Sequence, residues 1–144
     1  MRYGKIRIVG NSEFERQTKE ALDLLKDKYK KGFDLAQGNL REICDDGGRP
    51  DYLDMDKKAY HVKKETAFSN GSEWYAGQIV HEAVHSYMTH EKGFPCTGSN
   101  REKHEKIAAQ IQIDVLRAIK APERLINYAR KQVKERFWEK INVD

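Results

Sequence analysis

The stretch 'WYAGQIVHEAVHSYM', residues 74–88, constrains this chain more than any other. Its apolar residues recur at helical spacing. Trp74, Val84 and Met88 fall close to the face that also carries His81 and His85. A helix of this kind belongs in the core. Its two imidazoles then point inward, where each needs a partner. Gly77 lies one turn before His81 on about the same face. It either admits a neighbouring backbone or is a tolerated helix glycine.

Around that helix the chain reads as an α+β domain. 'KIRIVG' alternates and ends in Gly10, as a first strand does. 'NSEFERQTKEALDLLKDKY' has helical periodicity, with Ser12 and Glu15 at capping-box spacing. Residues 31–51 hold Gly32, Gly38, 'DDGG' and Pro50, which predicts turns and a short strand or helix around Leu40 to Cys44. 'KAYHVKKETAFS' reads as a strand. 'NGS' makes a turn, and Ser72 caps the central helix from about Glu73 to His90. After the loop 'KGFPCTGSN', Ser99 or Asn100 caps the helix 'REKHEKIAAQIQIDVLRAIK'. Pro122 opens a last helix that reaches Glu139. The expectation is a small mixed sheet with an N-terminal strand and helix, then three helices, in one compact domain over residues 1–144.

Composition narrows the partners. There are 27 Lys and Arg against 23 Asp and Glu, interleaved along the chain, for a net charge of +4. A solvated surface accounts for that pattern, whereas a nucleic-acid footprint needs a concentrated stripe. No run has the length of a membrane span, and 'MRYGKIRIVGN' is too short and too alternating for a signal peptide. Cys44 and Cys96 can form one disulfide but not a secreted framework. A soluble cytoplasmic protein with no nucleic-acid or membrane partner is expected.

'HEAVH', residues 81–85, adds chemistry to the central helix. Residues four apart share a helix face, so His81 and His85 can hold one Zn²⁺ through ring nitrogens. Glu82 can reach a metal-bound water, take its proton during attack on a carbonyl, and pass it to the leaving amine. The structural alternative is a buried helix whose histidines are merely hydrogen-bonded.

A catalytic zinc takes a third protein ligand. His90 is nearest, but the close-following pattern needs Gly three residues after the second His and the ligand six after it. Met88 holds the Gly position, and His90 stands five residues after His85, about 140° round the helix. It reads as a C-terminal residue that suits the helix dipole. On the next helix Ala108, Ala109, Ile111, Val115, Leu116 and Ile119 form an apolar stripe. Glu105 falls roughly 40° to one side of its centre and His104 roughly 60° to the other. A core-facing carboxylate is costly unless paired or metal-bound, which favours Glu105, with His104 as the alternative ligand.

His81, Glu82 and His85, followed by Glu105 twenty residues after His85, resemble the gluzincin metallopeptidases. The strand–helix–strand start and the short chain are also similar to the minigluzincins. The resemblance implies a zinc-dependent endopeptidase with ligands His81, His85 and Glu105 and catalytic Glu82. It implies an edge strand that binds a peptide or protein substrate extended. 'YHVKKETAFS', near residues 60–68, stands where that strand belongs, unless it is an ordinary edge blunted by lysines. An oxyanion-stabilising donor belongs opposite Glu82, and Tyr60, His61 and Tyr87 are the candidates.

The chain departs from the family at Ala109, where an acid often supports a ligand His, and Asp114 points to the opposite face. Gln112 or a backbone carbonyl must then orient the imidazole. Cys96 reads as a loop thiol, or else as a reversible fourth ligand. Minigluzincin-like latency would let the tail 'RFWEKINVD' occupy the cleft. Two other functions fit the same residues: a catalytically silent or latent zinc-binding regulatory protein, and a basic helical binding module without metal.

Overall fold

Alternation at Ile6 and Ile8, both buried, drives the strand that organises the N-terminal half. The computed structural model describes residues 1–135. In chain order the strands are β1 (Arg2–Tyr3), β2 (Ile6–Val9), β3 (Glu42–Asp45), β4 (Tyr52–Asp54) and β5 (Ala59–Val62). The helices are α1 (Ser12–Lys28), α2 (Lys30–Asn39), α3 (Lys64–Phe68), α4 (Gly71–His90), α5 (Arg101–Ala118) and α6 (Glu123–Lys134). The fold is α+β, as the sequence predicts.

The sheet is mixed, in the order β1-β2-β3-β5-β4. β2, β3 and β5 run parallel, while β1 and β4 are antiparallel edges. Register aligns Ile8, Ile43, Tyr60 and Leu53 in one row. The first three are buried and join Phe14, Leu22, Leu25, Ile79 and Val80 in a single core. α4 runs through the helical layer, packed on α1, α2, α3 and α5. It is buried on several faces, from Trp74 to Met88.

Several expectations need correction. Asn11, not Ser12, caps α1: its side-chain oxygen accepts from the Phe14 N–H at 2.8 Å. Residues 30–39 form α2 despite Gly32 and Gly38. A tertiary contact explains this, because a Cβ on Gly32 would come within 3.2 Å of Val80 Cγ2 on α4. The short element near Leu40 to Cys44 is the strand β3. β4, just after Pro50, had no signal strong enough to predict it.

'KAYHVKKETAFS' is a strand only over Ala59–Val62, and α3 follows. Asp51 bends the chain there: its carboxylate accepts from the Lys63 N–H and the Thr66 hydroxyl, both at 2.6 Å. β5 lies between β3 and β4, so residues 60–68 are not an edge strand. The edge on that side is β4.

Helix ends also differ. Asn70 precedes α4 without a side-chain cap, and Ser72 donates to Glu20 Oε2 at 3.1 Å instead. Asn100 precedes α5 without a side-chain cap. Pro122 stands just before α6 rather than in its first turn, and its carbonyl accepts from Leu125 N–H at 2.9 Å. The expected extension to Glu139 and the tail 'RFWEKINVD' lie outside the described residues. Among the described residues no helix is long and apolar enough to cross a membrane.

Asn11→Ala should cost about 1 kcal/mol in chemical denaturation, whereas Ser12→Ala should stay within about 0.5 kcal/mol of the parent. Equal effects would return the cap to Ser12.

Candidate metal centre

The polar face of α4 meets α5, and the contact is close because Gly77 has no side chain. A Cβ there would lie 3.3 Å from both Gln112 Cγ and Leu116 Cδ2. The predicted close approach is therefore made by side chains of α5, not by its backbone. Gln112, one turn from that point, reaches His81: Oε1 lies 2.8 Å from Nδ1. This is the orienting role expected of Gln112.

His81, His85 and Glu105 are all buried and bring their donor atoms together. The two Nε2 atoms are 3.2 Å apart. Glu105 Oε1 is 2.5 Å from His85 Nε2 and 3.8 Å from His81 Nε2. Ligands bound tetrahedrally at about 2.0–2.1 Å stand about 3.3 Å from one another. The three side chains can hold a metal ion. Two imidazole nitrogens and one carboxylate oxygen form a donor set suited to a borderline divalent cation.

A second group overlaps the first. His85, Cys96 and His104 also bring ligand atoms within 4.8 Å of one another. His104 is fully buried, with Nδ1 2.6 Å from His85 Nδ1 and Nε2 2.9 Å from the Phe94 carbonyl oxygen. So both residues flanking the α5 stripe turn inward, and they meet opposite nitrogens of His85. His90 is exposed and donates from Nε2 to the Met55 carbonyl at 2.7 Å.

Electrostatics follow from burial. Burial opposes ionisation of Glu105, but hydrogen bonds to His81 and His85 and their charges outweigh it and hold the carboxyl well below its usual range. Burial lowers His85 and, at His104, pushes the imidazole down to about 4. Burial works against the His81 cation too, yet Glu105 and Glu82 carry it upward overall. Glu82 is raised to about 7 by burial, partly offset by His81 and reinforced by Glu105 and Asp51. Burial raises the Cys96 thiol to about 11. Cys96 and Cys44 are both free.

The centre opens on a cleft of about 1160 Å³. Asp51 to Leu53 form one wall, Arg101 and Glu105 another, and Tyr128 with Gln132 on α6 a third. His81, Glu82 and His85 line it from α4. None of Tyr60, His61 and Tyr87 lines this cleft. Tyr60 is wholly buried beneath it, where burial and the carboxylates Asp51 and Glu82 keep its phenol protonated. His61 alternates to the other sheet face and stacks on Tyr52 at 4.3 Å. Tyr87 turns into an apolar groove beside Leu35, Met88 and Ile111.

The phenols that line the cleft are Tyr52 and Tyr128. Tyr128 is held edge-on to Trp74, with centroids 5.2 Å apart. It sits on an exposed helix position, so periodicity carried no signal for it.

Glu82 makes stability depend on pH. Its carboxyl moves from 4.5 to about 7 on folding. Between those values the unfolded chain loses the proton while the folded chain keeps it, so stability falls as pH rises through this window. Without metal, Glu82→Gln should stabilise the protein by on the order of 2 kcal/mol at pH 8 and by much less at pH 5. Denaturation in chelator at both pH values tests this, and an equal gain at both would refute the raised carboxyl.

No protein family, no curated protein and no solved structure matches this chain.

Proposed function

We propose that this protein is a zinc-dependent peptidase of gluzincin type, with His81, His85 and Glu105 as ligands. The observation that carries the reading is the convergence of His81 Nε2, His85 Nε2 and Glu105 Oε1 in a cleft that Glu82 also lines. Zinc bound by three protein ligands supplies Lewis acidity, polarising a carbonyl and acidifying a water.

Glu82 supplies the proton chemistry. Of the other carboxylates that line the cleft, Asp51 is engaged by Lys63 N–H and the Thr66 hydroxyl, Glu65 by Lys63 Nζ and Glu105 by His85. Glu82, raised to about 7, can take a proton from water near neutral pH and deliver it to a leaving amine. The edge strand β4 lines the same cleft and offers backbone groups to an extended peptide. Tyr52 and Tyr128 are the phenols that line the cleft and are available to steady charge on a carbonyl oxygen. Two free thiols suit a reducing compartment, and we assign the enzyme to the cytoplasm.

One observation favours a second reading, a silenced zinc-binding protein. Cys96 lines the cleft beside His85 and can close a position otherwise left to water.

Metal analysis and peptide cleavage test both. Protein purified without added metal should carry one zinc, and Glu105→Ala should lose most of it. Glu82→Gln should keep the zinc and lose cleavage by at least about 10²-fold. Absence of zinc in the parent would overturn the metal centre. Zinc without cleavage, gained only on Cys96→Ser, would favour the silenced form.

A further inference from the structure

His104 makes two hydrogen bonds, and together they assign the protons of its neighbour. Its Nε2 lies 2.9 Å from the Phe94 carbonyl oxygen. A carbonyl only accepts, so the proton is on Nε2. His104 is fully buried, and its ring lies between the His85 ring, stacked at 4.8 Å and 6°, and the Phe94 ring, stacked at 5.4 Å. Its hydrogen-bond partners are a carbonyl and His85, whereas His85 has the Glu105 carboxylate at 2.5 Å, so the proton between the two Nδ1 atoms belongs to His85. The neutral ring then presents a lone pair at Nδ1. That lone pair meets His85 Nδ1 at 2.6 Å, so His85 Nδ1 is the donor.

We infer that His104 is a positioning residue that keeps a proton on His85 Nδ1, so that Nε2 is the nitrogen His85 has for a metal. Nε2 is the atom 3.2 Å from His81 Nε2 and 2.5 Å from Glu105 Oε1, and the proton it shares with that carboxylate is the one a metal would displace. The Phe94 carbonyl, in the loop between α4 and α5, anchors the relay. That loop is itself tied back by Phe94 N–H to the Met88 carbonyl at 2.9 Å. With its Nδ1 lone pair committed to His85, His104 has none left for a metal in the overlapping group with Cys96. The ligand assignment rests on the proposed zinc site; the proton assignment does not.

NMR of ring nitrogens separates the two. In metal-free protein, His104 should carry its proton on Nε2 alone and His85 should carry one on Nδ1 besides any that its Nε2 shares with Glu105, and a proton on His104 Nδ1 would overturn the relay even if the protein bound no zinc. In cadmium-loaded protein, metal–nitrogen coupling should reach Nε2 of His81 and of His85 and be absent from His104. Coupling to His104 would make it a ligand and overturn the inference.

His104→Ala should weaken zinc binding by about 10–100-fold at unchanged stoichiometry. His104→Asn, whose amide oxygen can accept from His85, should recover most of the loss, whereas His104→Leu should not. Recovery by Leu would reduce His104 to packing. If the Ala variant fails to fold, the Asn and Leu pair and the parent spectra still decide.

Discussion

Everything in this fold turns on the contact between the polar stripe of α4 and the inner face of α5. A helix apolar on several faces must be surrounded, and α4 is. Surrounding it also buries two imidazoles, which is tolerable only if each ring nitrogen finds a partner. α5 supplies those partners over two turns: His104, Glu105 and Gln112. Gly77 lets Gln112 come close enough to reach His81. Burial raises the carboxyl of Glu82, whereas at Glu105 the hydrogen bonds and charges of His81 and His85 outweigh burial and lower it.

Sheet topology shapes the cleft in front of that contact. Parallel pairing of β3 with β5 leaves β5 interior, and β4 folds back antiparallel to become the rim. Asp51 joins the two regions, since it precedes β4 and also starts α3 by binding Lys63 and Thr66. α6 closes the far side through Tyr128 and Trp74.

Much of the central pair was legible. The 3.6-residue period alone predicts that His81 and His85 share a face, that Gly77 precedes them, and that both Glu105 and His104 flank the α5 stripe. Shorter elements were not. Gly32 and Gly38 read as turns because local propensity disfavours them in helices, yet packing on Val80 selects Gly32. The strand predicted over 'KAYHVKKETAFS' fails after Val62 because a carboxylate twelve residues earlier in the chain takes its backbone. Tyr60, His61 and Tyr87 lie near Glu82 in sequence or pattern, but strand alternation and the groove behind α4 turn them elsewhere.

Helical period is a local property of the chain, and it sets which residues α4 and α5 turn inward. What those residues meet depends on how the two helices pack. Glu105 and His104 are neighbours about 100° apart on one helix, and both are buried. The packing of α5 on α4 sets one against Nε2 of His85 and the other against Nδ1. That choice depends on how two helices approach in space, and no spacing within either helix contains it.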